Sequence, residues 1–203
     1  MKKTVLTIIM AVIITASYAQ EKRYGIERAI VKATTTTAMP GMQQTVSSIQ
    51  YFDEFGSKES AESFMTTGGQ VVSMFTMMKD GYSYNANVMT GQGIKTKLPS
   101  AADNYQMVNY LNLTNEVKSQ YKIEEKGNER ILGRDCKVYQ MTVPVQGQIV
   151  EATVSVWQGI PLKLSMSILG INIVQEATEI QEGATIPREK FELPAGVNFV
   201  EMN

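Results

Sequence analysis

The chain has 203 residues, with 19 basic and 20 acidic side chains, a formal net charge of −1, no histidine and one cysteine. A near-neutral chain without a basic stripe is a poor partner for nucleic acid or for anionic lipid. The missing imidazole removes the usual general base of neutral-pH catalysis, the common zinc ligand and every Ser-His-Asp or Cys-His arrangement.

The N-terminus has the three regions of an export signal. Lys2 and Lys3 are positive, Val5 to Ile14 is apolar apart from Thr7, and Thr15 to Ala19 is small and mildly polar. Ser17 and Ala19 supply the small side chains a signal peptidase accepts, so residues 1–19 read as a leader and Gln20 as the mature terminus. Ten apolar residues rising about 1.5 Å each cannot cross a hydrocarbon core of about 30 Å. No cysteine follows the cleavage point, so there is no lipobox. The expectation is a periplasmic or secreted protein, not membrane-anchored, with residues 20–203 as one domain.

From Tyr24 to Met89 short runs rich in Val, Ile, Thr, Tyr and Phe are broken by turn residues, which predicts strands over Tyr24 to Thr37, Thr45 to Phe55, Gln70 to Lys79 and Tyr82 to Thr90. Met39-Pro40-Gly41-Met42, Gly68-Gly69 and Lys79-Asp80-Gly81 are turns. Thr90-Gly91-Gln92-Gly93 has half the spacing of a nucleotide fingerprint, but no lysine or third glycine follows; it reads as another hairpin turn. Ser100 with Asp103, and then Thr114, resemble helix caps, predicting one or two short helices between residues 101 and 120 that cover the sheet.

Beyond Tyr121 the pattern returns to β, with turns at Lys126-Gly127-Asn128 and Gln158-Gly159. Val150, Ala152, Val154 and Val156, then Leu162, Leu164, Met166 and Ile168, alternate with more polar neighbours, so each strand buries one face. A strand from Ile171 to about Glu182 follows, stopped by Ile186-Pro187. Cys136 reads as a small buried strand residue; Arg134 and Lys137 beside it offer the rival reading of a reactive thiolate. The adjacent carboxylates Asp53-Glu54 and Glu124-Glu125 point to opposite faces of their strands and read as solvated charges.

Strand Val71 to Lys79 is apolar on both faces, Val72, Met74 and Met78 on one and Val71, Phe75 and Met77 on the other, so something must cover each. The 101–120 insertion is the expected cover. The chain carries 13 methionines, a residue that adapts to irregular apolar partners as well as filling cores. Together these make Met74, Met78, Leu111, Met141, Trp157 and Met166 the candidate lining of an apolar site between sheet and helices. No catalytic residue, metal ligand or cofactor site is expected.

Three segments resemble a known group. Leu132-Gly133-Arg134-Asp135-Cys136-Lys137-Val138-Tyr139, Val156-Trp157-Gln158-Gly159-Ile160-Pro161-Leu162-Lys163, and the run Ile186-Pro187-Arg188-Glu189-Lys190-Phe191 continuing through Leu193-Pro194-Ala195-Gly196-Val197 resemble secreted bacterial domains related to the LolA/LolB lipoprotein-carrier fold. The resemblance spans about residues 121–199. It implies a mainly β fold, a curved, unclosed antiparallel sheet or half-barrel with helices on its concave face, and a cavity for acyl chains. Two readings of function follow: a binding protein for a lipid, a lipoprotein acyl chain or another apolar ligand, or an envelope protein-protein interaction module with no small-molecule ligand.

Overall fold

The computed structural model describes residues 22–98, 104–145 and 147–202. The leader and the Ser100–Asp103 cap lie outside the described residues. Twelve strands form one sheet: β1 (Ala29–Met39), β2 (Met42–Asp53), β3 (Lys58–Thr67), β4 (Gln70–Lys79), β5 (Tyr82–Asn87), β6 (Gln92–Lys97), β7 (Glu124–Ile131), β8 (Arg134–Val145), β9 (Gln148–Trp157), β10 (Ile160–Ile168), β11 (Ile171–Glu182) and β12 (Asn198–Met202). Their spatial order is β12-β6-β5-β4-β3-β2-β1-β11-β10-β9-β8-β7, so the sheet does not close and ends in edges at β12 and β7. All neighbours run antiparallel except β12, which lies parallel to β6.

Two meanders, β1–β6 and β7–β11, meet at the β1–β11 pair. Their hairpins are tight because the turn chemistry matches the twist of the strands. At Asp80-Gly81 both central residues have positive φ, 51° and 78°, the geometry that aspartate and glycine accept in a two-residue hairpin loop.

Several sequence expectations need correction. The first strand begins at Ala29, not Tyr24, because Tyr24 turns into the core and the Gly25 N–H donates to the Gln158 carbonyl. Lys126-Gly127-Asn128 is no turn; it lies inside β7, where the register shifts between Glu125 and Gly127 and a bulge absorbs the glycine. The 101–120 region carries the short helix expected there, α1 (Asn115–Gln120), whose Thr114 side chain accepts from the Val117 N–H, together with a 3₁₀ turn at Tyr105–Met107. Strands β3, β6 and β12 were not resolved from the sequence pattern.

The core lies on both faces of the sheet. Val108, Tyr121 and Ile123 pack on Tyr139, Met141, Val143, Val150, Ala152, Val154 and Val156. Next to this cluster, Tyr24 sits among Ala29, Val31, Phe52, Ile160, Leu162 and Ala177, with Cys136 buried beside them. Burial raises the Cys136 thiol above its ordinary pKa, in keeping with a packing role.

Strand alternation carries Phe75 and Met77 to the other face, since they share it with Ser60 and Glu62 of β3 and Tyr51 of β2, opposite Phe52 and Ala61. There the cover is the C-terminal segment, not the 101–120 insertion. The Lys190 carbonyl accepts from the Ser60 hydroxyl at 2.5 Å, the Lys190 ammonium meets Glu62 at 2.6 Å and lies 4.8 Å from the Tyr51 ring centroid, and Val197 and Phe199 pack against Phe75, Met77 and Ala86.

Phe199 lies over Gly93, where a Cβ would sit 2.6 Å from two ring carbons. Gly93→Val should therefore unseat β12 and cost about 2 kcal/mol, comparable to removing the partly buried ring itself. The check is the urea midpoint of Gly93→Val, Phe199→Ala and the double variant: the two losses should be less than additive.

Candidate functional site

The face that carries the two larger clusters continues beyond its cover. Cross-strand pairing sets Leu164, Gln175, Thr35, Val46, Met65 and Val72 in one row across β10, β11, β1, β2, β3 and β4. A second row, one step toward the hairpin ends, holds Met166, Ile173 and Thr37. All of these side chains are half-buried. They form an uncharged, largely apolar band that runs out from beneath residues 104–123 across the middle of the sheet.

Two contacts fasten the cover to β8. Tyr110 stacks on Tyr139 with centroids 5.6 Å apart and donates its hydroxyl hydrogen to the Met141 sulfur at 3.4 Å. The Tyr121 carbonyl accepts from the Thr142 N–H at 2.7 Å. Both contacts lie over β8; toward β3 the cover reaches only the Arg23–Glu59 end of the face, so the two rows over β11 and β1–β4 have no lid among the described residues.

A polar knot closes the charged end of the same face. Arg23 Nη1 meets Glu59 Oε2 at 2.7 Å, and its Nη2 donates to the Gln106 carbonyl at 2.6 Å, tying the first described residues to the cover. Tyr24 donates its hydroxyl hydrogen to Glu59 Oε2 at 3.1 Å, while Gln50 donates to Glu59 Oε1 at 2.7 Å. Arg23 and Glu59 are both largely shielded from solvent. A pair in such surroundings is costly to break, because the remaining charge loses its partner without regaining water.

Burial first, and the Glu59 carboxylate second, push the Tyr24 phenol well above its ordinary value. Burial does the same to Tyr110, against the opposing field of Arg23. Both therefore favour the neutral phenol in the folded state.

The six methionine, leucine and tryptophan positions singled out from the sequence do not form one lining. Met141 and Met166 are brought together, each facing Ala152 from its own side, with Met141 buried and Met166 on the band. Leu111 and Trp157 share a separate open cavity of about 760 Å³ beside the Gln158-Gly159 turn. Trp157 is also covered by the Arg134 guanidinium, 4.9 Å from the ring centroid. Met74 is exposed on β4, two residues from Val72 on the same face. Met78 lies near the Arg23–Glu59 knot, in a cavity of about 640 Å³ that Met107 also lines. Val46, Met65 and Ile173 were missed; the signal was their position in cross-strand rows, which a single strand cannot display. Among the described residues no group of three or more Asp, Glu or Cys side chains could hold a metal ion, and no helix is long and apolar enough to cross a membrane.

No protein-family model and no curated protein matches the chain. Among solved structures it is similar to an uncharacterized conserved protein from Thermus thermophilus, at 12% identity and a TM-score of 0.52, with 91% of this chain and 95% of that one covered. A LolA superfamily protein from Nitrosomonas europaea matches at 16% identity and a TM-score of 0.40, over 86% of this chain and 94% of that one. A chain of the Pseudomonas aeruginosa MucA/MucB complex matches at 16% identity and a TM-score of 0.48; 85% of this chain is covered but only 58% of that one, so this chain spans less than two thirds of its length. At these identities the likeness is one of fold alone, that of a mainly β chain with an unclosed sheet.

Two outcomes test the knot. Arg23→Met should lower stability by about 3 kcal/mol and speed hydrogen exchange in residues 104–113, read by mass spectrometry. In alkali, the unfolded chain loses phenolic protons above about pH 10 while Tyr24 and Tyr110 keep theirs in the fold, so their contribution is complete below that pH and declines as pH rises. Urea midpoints measured from about pH 9 to about 11 should fall, and less steeply for Tyr24→Phe.

Proposed function

We propose that the chain is an exported binding protein that holds an acyl chain, of a lipid or of a lipoprotein, along the band between the sheet and residues 104–123. One observation carries the reading: a continuous band of half-buried, uncharged and largely apolar side chains, interrupted by Gln175 and Thr35, that emerges from under a cover and ends without another among the described residues. A strip of that kind suits a long flexible hydrocarbon better than a compact ligand, and its lack of charge within the two rows costs an apolar guest no desolvation of ions. Met65 and Met166 add side chains that adapt to a guest of variable shape. Met141 forms the floor beneath the cover, and Met74 extends the band at β4. The pair Leu111 and Trp157 marks an opening at the far side of the cover.

In this reading residues 1–19 direct export and are removed, and residues 20–203 act as a single domain without a lipid anchor of their own. N-terminal sequencing of the protein from the envelope fraction should begin at Gln20; an intact Met1 would refute export by cleavage.

Native mass spectrometry of the purified protein, with organic extraction, should find an acyl-bearing adduct, and a fluorescent fatty acid should be displaced by it. Met166→Glu places a charge in the second row and should weaken uptake at least tenfold while leaving the unfolding free energy within about 1 kcal/mol, since the side chain is only half-buried. Uptake by neither wild type nor any added lipid would sink the assignment.

A further inference from the structure

Charge is distributed along the strands rather than scattered over the surface. The stretches 33–52, 63–78, 81–94, 138–150 and 164–175 contain no Asp, Glu, Lys or Arg, in a chain where these make up 19% of residues. Each stretch is centred on or reaches one hairpin, and the five hairpins β1–β2, β3–β4, β5–β6, β8–β9 and β10–β11 all point to the same end of the sheet.

Four of these tips lie close to one level by register. The β10–β11 and β1–β2 tips coincide through the Ala38–Asn172 pair, β8–β9 rises slightly above them, and β3–β4 falls slightly below; β5–β6 forms a lower step. The opposite end carries Glu54, Lys58, Lys79, Asp80, Arg130, Arg134, Asp135 and Glu182, many of them in ion pairs such as Glu54–Lys58 and Arg134–Glu182.

The uncharged tips are also where large apolar side chains face water. Ile149 and Leu169 are each 79% exposed and Met89 is 68% exposed, with Met42, Val71 and Val88 exposed at the other tips. Such residues add nothing to the core, and their polar companions are the neutral Gln, Asn, Thr and Ser.

We propose that this hairpin rim is a membrane-contact surface, which seats the tips of the sheet in the interfacial region of a bilayer of net-neutral lipid. A fluid apolar phase accepts separate anchors on a stepped rim, whereas a protein partner demands a continuous complementary patch, usually built on aromatic side chains and arginine. The tips have neither. The absence of cations removes attraction to anionic headgroups, and the absence of any charge removes the cost of bringing one toward hydrocarbon. Contact is therefore apolar, reversible and indifferent to salt. The band opens close to this rim, Ile173 and Val72 each lying three residues from a turn glycine, so a seated rim brings the band to the lipid surface.

Flotation of the purified full chain, as its host processes it, with phosphatidylcholine vesicles tests the surface independently of ligand uptake. Wild type should float, with binding changed less than about twofold between about 0.1 M and 1 M salt. The double variant Ile149→Gln, Leu169→Gln should lose at least about tenfold in binding with an unchanged urea midpoint. Leu132→Gln, the same change at a tip on the opposite end, should bind as wild type does. The proposal is overturned if wild type stays in solution, if it floats only with anionic vesicles and is released by salt, or if the double variant floats undiminished. A dimer that the double variant dissociates, without vesicle binding, would also overturn it and assign the rim to a second copy of the chain.

Discussion

An open sheet of twelve strands has two faces and two edges to dispose of, and here each half of the sheet buries a different face. Over β7–β11 and β1–β2 the buried face is the one under residues 104–123 and Tyr24; over β3–β6 it is the opposite one, under the C-terminal segment. Alternation along a strand permits this exchange without a break in the hydrogen-bonded ladder, because neighbouring residues already point both ways. The consequence is a region in the middle, around β1–β4, where the first cover has ended. The band lies there. It is a product of the sheet's length against the shortness of its covers, not of a dedicated pocket.

The two edges are treated differently. β7 presents Glu124, Glu125 and Lys126, with Glu124 paired to Lys126 and Glu125 to Lys137, a charged border that discourages further strand pairing. β12 is five residues long and pairs parallel through only one neighbour. Its attachment depends on Phe199 seated over Gly93, so a glycine inside β6 that weakens strand propensity also admits the ring that fastens the sheet's last member. At the other extreme Arg23 fastens the first described residues to β3 through Glu59 and to the cover through the Gln106 carbonyl. The first and last described segments thereby act as clasps, one on each face.

Much of this was legible from alternation. β10 and β11 stand where the sequence pattern placed them, and β4 coincides with Gln70–Lys79, because β10 has a clear period of two and all three are strand-forming runs bounded by turn residues. β6 was not legible: Gln-Gly-Ile-Lys-Thr-Lys lacks a buried apolar series and owes its place to pairing with β5 and β12. The Lys126-Gly127-Asn128 error has a specific cause, since a glycine flanked by polar residues looks the same in a bulge as in a turn. The Thr114 cap was readable and stands at the head of α1, whereas the Asx turns of Asn104 and Asn109 use the same residue types without leading into an α-helix. For the candidate site, the types of residue were readable but not their grouping: Met141 and Met166 converge and Met74 lies further along the same face, while Met78, Leu111 and Trp157 go elsewhere, because grouping depends on which strands become neighbours.

The β1–β11 junction governs how such a chain can assemble. Every other antiparallel pair joins strands consecutive in sequence, so each meander grows by hairpins that close loops of a few residues. At the junction Lys32 meets Glu179 across 147 positions. Closing a loop of that size costs more entropy than any hairpin, and the loss comes before the contacts that offset it. Two half-sheets can therefore form early and independently, and the seam between them is the slow step of folding. Until it closes, β1 and β11 are both free edges rich in Thr, Ile and Val, and a passing second chain could complete either of them.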